Sequence, residues 1–341
     1  MTAGGAGRSR KVAAVLLGLA VSVLFAWLTL RKVPFGELGQ HVLAASVPIL
    51  SLALVTKLVS MLFMTLRSVV VFERLGRLSF GQLFRSIVIV VGGNAVIPLR
   101  AGEALRIGYL VRTGGASVGA CVGAVALERL LDSACLVALF AVVTPLTMLD
   151  LPAESSLYVF AAMLVLGLVG AVTVARRPAR VLAWVGRGAE VAGPVVGGRL
   201  QRLAERLVEG LSSLRTARGA ALAVLATLGY WLAMAATAWV WLWAFHLHLP
   251  WHTAFLVLFF SALGSFLPSS PGAVGTYHYF TLQALLLVGV ERALATSVVV
   301  VGHALAFFPI AVISLPFLVI EVIALARARR DTVEPPPGPC G

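Results

Sequence analysis

The sequence predicts an all-α fold: a polytopic membrane helical bundle of about six spanning helices plus two re-entrant broken-helix segments. Three observations carry this expectation. Of 341 residues, 60% are hydrophobic and 12% charged, and mean hydropathy is +0.99. Soluble domains carry roughly 25% charged residues, so the surplus apolar surface must face lipid. Apolar runs recur at the ~20-residue length that crosses a bilayer. Basic residues gather just outside those runs, the footprint of the positive-inside rule.

The first run, 12–30, follows Arg8, Arg10 and Lys11. Its 19 residues exceed the ~7–15 of a cleavable signal-peptide core, and no small-x-small site follows. It is read as a retained first span behind a cytoplasmic N-terminus, 1–11. Further spans are expected at 42–66, 117–143, 156–175, 219–245 and 294–325. Pro309 and Pro316 in the last predict a kink or an interfacial overhang. The stretches 83–109 and 251–290 are apolar but interrupted. The first breaks at Gly92, Gly93, Asn94, Pro98 and Gly102, the second at Pro268, Ser269, Ser270, Pro271, Gly272 and Gly275. Each arm is too short to span alone.

Charge orients the set. Arg67, Arg74, Arg77 and Arg85, the arginines from Arg176 to Arg218, and Arg327, Arg329 and Arg330 assign the 67–85 loop, the 176–218 loop and both termini to the cytoplasm. This is the expectation for a multi-pass cell-membrane protein, and every basic cluster except Arg31/Lys32 falls inside. The two halves then repeat the order span, span, re-entrant, span with opposite orientation. Pro98 and Gly102 precede Pro268 and Gly272 by 170 positions each. Broken hydrophobic segments at matching places in two halves point to an inverted repeat with a site near the bilayer midplane. Residues 12–325 therefore read as one transmembrane domain. Within its basic loop, 176–218, Leu200, Leu203, Leu207, Leu211 and Leu214 alternate with Arg199, Arg202, Arg206 and Arg215 at helical spacing. That predicts a helix on an anionic inner leaflet. The tail 326–341, with Pro335, Pro336, Pro337 and Pro339, is expected to be disordered.

Several classes are excluded. A net charge of +13 raises nucleic-acid binding, but no basic–aromatic module accompanies it. No P-loop, nucleophile elbow or zinc-protease helix occurs. Cys121 and Cys135 lie about 21 Å apart along one helix, too far for a disulfide. No metal or cofactor is expected, and no oligomeric state is specified. His246, His248 and His252, with Trp239, Trp241, Trp243 and Trp251, read as interfacial anchors.

Three constellations can carry chemistry. Glu128, Arg129 and Asp132 fall mid-span, where a charge costs ~2.5–3.5 kcal/mol unless it faces protein or water. They form either a buried ion-pair staple or a polar wall of a substrate path. Asn94, Pro98, Arg100, Gly102, Glu103 and Arg106 form the first break. Arg100 and Arg106 suit a phosphate, with Glu103 as a local partner of Arg106; the alternative is a cytoplasmic-edge turn with snorkelling arginines. Pro268, Ser270, Pro271, Gly272, Gly275, Tyr277 and His278 form the second break, with a helix N-terminus at Thr276/Tyr277 to receive an anion or a plain structural turn. His303 is either a proton-coupling group or a satisfied helix–helix hydrogen bond.

The strings Gly93-Asn-Ala-Val-Ile-Pro-Leu-Arg-Ala-Gly-Glu-Ala-Leu-Arg106, Glu128-Arg-Leu-Leu-Asp132 and Leu267-Pro-Ser-Ser-Pro-Gly-Ala-Val-Gly275 resemble the lysylphosphatidylglycerol synthase transmembrane family, or flippase-like domain, across about 10–325. The resemblance implies the translocating half only. The chain ends soon after its last span, leaving no room for the soluble aminoacyltransferase domain. Tyr277-His278 stand where many members carry a Glu. The expectation is translocation of an anionic phospholipid or lipid-linked substrate between leaflets. The alternatives are a membrane-embedded transferase on lipid head groups, with Glu128 or Asp132 as base, and an accessory subunit in envelope biogenesis.

Overall fold

A computed structural model of the chain describes residues 20–31, 35–97, 101–147, 154–191, 193–267 and 269–333. Among these residues there are only helices and their connections. In order they are α1 (Ala20–Leu30), α2 (Phe35–Ala44), α3 (Val47–Phe72), α4 (Phe80–Val96), α5 (Gly102–Gly114), α6 (Val118–Val143), α7 (Glu154–Arg176), α8 (Pro178–Val191), α9 (Pro194–Gly210), α10 (Ala217–Ala244), α11 (Trp251–Phe266), α12 (Thr276–Leu287) and α13 (Arg292–Val333).

Three of these, α3, α10 and α13, are long and apolar enough to cross a membrane among the described residues. A fourth candidate is the pair α7–α8, bent by 96° where Pro178 starts α8. The 26-residue α6 has the length but carries Glu128, Arg129 and Asp132. Of the expected first span only 20–30 is described.

The surface pattern is that of a soluble protein turned inside out. On α3, Leu52, Val55, Val59, Leu62 and Leu66 are exposed, whereas Ser60, Thr65, Arg67 and Ser68 are fully buried. Exposed apolar residues three and four apart form one stripe along the helix, and a contiguous stripe of that kind has lipid as its natural neighbour. On α13 the exposed residues are Phe308, Val312, Leu315, Val319 and Val322, with Ser314 and Glu321 buried.

The two interrupted stretches are helical hairpins. In the first, α5 packs back on α4 because Gly102 has no side chain: a Cβ there would lie 2.5 Å from the Val90 carbonyl oxygen and 2.7 Å from the Asn94 backbone nitrogen. In the second, a Cβ on Gly264 of α11 would lie 2.6 Å from the Thr276 carbonyl oxygen on α12. One turn or more deeper, the Ser261 and Thr281 hydroxyls meet at 2.9 Å. The short turn Pro271–Ala273 of the second hairpin lies against α4 of the first. The second break therefore lies against the first hairpin.

Helix α6 is the hub, contacting α3, α5, α7, α9, α10 and α11. Several expectations need correction. Arg67 is not in a loop but inside α3, fully buried; Arg85 is in α4. The basic loop holds two helices, α8 and α9, rather than one. Trp241 is buried, its ring occupying the space that a Cβ on Gly302 would need. It is a core residue, not an interfacial anchor. Helix α13 runs unbroken through Pro309 and Pro316 to Val333, into the stretch expected to be disordered. Its 42 residues make a rod of about 63 Å, twice the ~30 Å hydrocarbon core, so it overhangs.

Candidate functional site

The charged residues of α6 meet partners from three other helices. Glu128 is fully enclosed. Its carboxylate accepts from Arg106 of α5 through Nη1 at 2.5 Å and Nη2 at 3.2 Å, and from the Ser68 hydroxyl of α3 at 2.7 Å. Arg106, also fully enclosed, further reaches Ser68 at 2.8 Å and Ser86 of α4 at 3.4 Å. Arg67 pairs with Asp132 and lies 3.9 Å from Glu128. Every one of these groups would be intolerable in oil alone. Pairing and hydrogen bonding make the cluster tenable, and breaking one partner would leave a buried charge uncompensated.

Glu103 does not pair with Arg106 as expected. Arg106 points inward to Glu128, and Glu103 instead lies 3.4 Å from Arg129, whose other contact is Asp132 at 3.3 Å. The Arg129 side chain keeps 39% of its surface and Glu103 keeps 26%. The cluster thus has a sealed half (Arg67, Arg106, Glu128) and an accessible half (Arg129, Glu103). Three guanidinium groups face three carboxylates, so the whole is neutral. Asn94 lies beside Gly102, its Oδ1 buried and without a hydrogen-bond partner. Pro98, Arg100 and Pro268 fall outside the described residues.

The second break is organised by two histidines. The Gly275 N–H donates to His278 Nδ1 at 3.2 Å, His278 Nε2 meets His303 Nδ1 at 3.2 Å, and His303 Nε2 meets the Gly272 carbonyl at 2.9 Å. One tautomer assignment satisfies all three: both rings neutral, each with its proton on Nε2, donating in turn to His303 Nδ1 and to the Gly272 carbonyl. Tyr277 stacks on the His303 ring with centroids 4.7 Å apart. Gly272 (φ +69°) and Gly275 (φ +92°) hold backbone conformations that side chains resist. A Cβ on Gly275 would strike the Ser22 carbonyl of α1 at 2.2 Å. The Ser270 N–H donates to the Ser22 hydroxyl at 2.7 Å. The sequence signal for Gly272, Gly275, His278 and His303 thus leads to one connected turn, at whose edge Ser270 ties α1 down.

A family model, the lysylphosphatidylglycerol synthase TM region, matches residues 15–314. The chain belongs to this family. No curated protein and no solved structure gives a significant match. In this lysylphosphatidylglycerol synthase transmembrane region, both hairpins, the ion cluster and the histidine turn lie within the matched residues.

Sequence reading missed Lys57, Arg112 and Glu321 and assigned Arg85 to a cytoplasmic loop. Lys57 stands at the eleventh position of the 26-residue α3, and its ammonium contacts the Met234 sulfur of α10 at 3.2 Å. Arg85 lies with its guanidinium over Phe317 (5.1 Å) and Tyr109 (5.5 Å), and its buried Nε has no hydrogen-bond partner. Among the described residues neither has a carboxylate within 4 Å. Arg112 of α5 pairs with the buried Glu321 of α13, tying the first hairpin to the last helix. A lone lysine barely lowers the hydropathy of a long apolar run, so Lys57 gave no signal.

Proposed function

We propose that this protein moves an anionic phospholipid or lipid-linked substrate between the leaflets of the cell membrane. The observation that carries the reading is a pair of cations with no carboxylate within 4 Å among the described residues, Lys57 mid-way along α3 and Arg85 in its aromatic slot, in a bundle whose ion cluster is already neutral. A bare ammonium at the centre of a spanning helix costs ~2.5–3.5 kcal/mol; a phosphate passing by supplies what these groups lack. Acyl tails stay in lipid, and the protein needs only to lower the cost of carrying the polar head through the apolar layer.

In this reading the span order is that of two inverted halves, with six spans, the two hairpins as re-entrant segments, and both termini in the cytoplasm. Arg129 and Glu103 form the accessible wall of the path, Arg106 and Glu128 hold it in shape, and Asn94, Gly102, Ser270, Gly272, Gly275, Tyr277, His278 and His303 line or shape the two breaks. Pro98, Arg100, Pro271 and Pro268 belong to the same breaks by sequence. Membership in a lipid-related family supports this.

The test is reconstitution of the purified chain in liposomes with a fluorescent phosphatidylglycerol, reading accessibility of the label to an external quencher. Faster loss of protection than in protein-free liposomes is expected. Equal rates across a panel of anionic lipids would overturn the proposal, and covalent change of the lipid would favour a transferase.

A further inference from the structure

A second lipid-recognising feature lies apart from the ion cluster. Helix α9 crosses the first turns of α6 at close range because glycines meet there. A Cβ on Gly123 would lie 2.5 Å from the Leu207 carbonyl, and one on Gly210 would lie 2.5 Å from the Ala120 carbonyl. Beside this crossing is a cleft of about 340 Å³ whose floor is Val118, Gly119 and Val122 of α6 and whose rim is Arg199, Arg202 and Arg206 of α9. Val118 and Val122 are 56% and 40% exposed.

The three arginines recur at i, i+3 and i+7 and so share one face of the helix. All are exposed, and none has a carboxylate within 4 Å among the described residues. Glu205 and Glu209 sit on the same helix, but Glu205 accepts instead from Gln201 at 3.2 Å. The Arg206 stem lies over Gly119, leaving its charge at the rim. An apolar floor below a row of unmatched guanidinium groups has the two-part chemistry of one ligand class. A phosphate is held by the arginines, bidentately where geometry permits, and acyl chain lies against the valines.

We infer that the α6–α9 cleft is a resident site for an anionic phospholipid of the adjoining leaflet. The occupant is a lipid and not a free anion, because only a lipid covers the exposed valines together with the arginines. The inference stands independently of translocation: a protein that moved no lipid would still bind here.

The experiment uses the full chain in nanodiscs holding an equimolar mixture of phosphatidylglycerol and phosphatidylcholine, with retained lipid counted by native mass spectrometry after mild detergent extraction. Phosphatidylglycerol is expected to be retained over phosphatidylcholine. Each single change, Arg199→Gln, Arg202→Gln or Arg206→Gln, should weaken that retention about fivefold, and the triple change should abolish the preference. The triple Arg→Lys variant should keep most of it, and Arg74→Gln, at an exposed arginine of the α3–α4 connection that does not line the cleft, should leave it intact, which separates this cleft from basic surface charge in general. Equal retention of the two lipids, or parental retention in the triple Gln variant, would overturn the inference. So would equal loss in the Lys variant, which would indicate packing rather than charge, or displacement of the lipid by soluble glycerol phosphate.

Discussion

Arg106 and Glu128, 22 positions apart in sequence, meet as a doubly hydrogen-bonded pair from which solvent is wholly excluded. One contributes from the first hairpin and the other from the hub helix, so the pair fixes how α5 seats on α6. Arg106→Ala or Glu128→Ala should each cost about 3–5 kcal/mol, the penalty for stranding a buried charge. The double variant Arg106→Leu/Glu128→Leu restores neutrality and should be more stable than either Ala variant. Thermal unfolding in detergent checks this.

Lys57 offers the opposite behaviour. Lys57→Met removes an uncompensated charge from an apolar helix and should leave the melting temperature unchanged or raised. Leaflet exchange of anionic lipid should fall by about tenfold, the loss of one charge-assisted contact of ~1.5–3 kcal/mol. Arg129→Gln should likewise fold and lose exchange. A parallel loss of exchange and thermal stability would mark both residues as structural.

The hairpins rest on glycines. Gly102→Ala and Gly264→Ala force a methyl into backbone atoms at 2.5 and 2.6 Å and should each destabilise by about 1–3 kcal/mol. Gly39→Ala is the control, since nothing lies within 4 Å of a Cβ there. Placed in the interior of α2, it should stabilise by up to about 1 kcal/mol. Melting temperatures of the three variants compare these directly.

Glu291 caps α13. Its carboxylate accepts from the Ala293 N–H at 2.8 Å and the Leu294 N–H at 3.0 Å, and these bonds, the Ala293 one foremost, hold its pKa below the ordinary value of 4.5. A depressed pKa means that the cap is at full strength above the ordinary carboxylate range and is lost as pH falls through the folded value. Hydrogen exchange at the first-turn amides of α13 should therefore lose protection on acidification in the parent. In Glu291→Gln that acid-dependent step should be absent.

Much of this was legible in the sequence, and the rest was hidden for physical reasons. Hydropathy located α10 to within two residues at each end, 219–245 against Ala217–Ala244, because lipid-facing apolar residues dominate its composition. The breaks at Gly102 and at Gly272/Gly275 stood out because glycine and proline punctuate backbone geometry locally. Arg67 was misplaced because it opens the basic series Arg67, Arg74, Arg77 and Arg85, which reads as the end of a span. The compensating Asp132 lies 65 positions away, on a helix that no local window sees. Arg106 was assigned the nearby Glu103 by helical spacing, whereas three-dimensional packing gave it Glu128. The histidine turn needed both ends at once: His278 and His303 are 25 positions apart, and neither carries a local signature of the other.

The balanced cluster of Arg67, Arg106 and Arg129 with Glu103, Glu128 and Asp132 has one more consequence. A set of fixed charges summing to zero experiences no net pull from transmembrane voltage, although each ion alone would be worth ~2.3 kcal/mol per 100 mV. Polarising the bilayer should therefore leave this part of the bundle at rest and act on whatever moves past it. Voltage would then act on the cargo and on the two unpaired cations, Lys57 and Arg85.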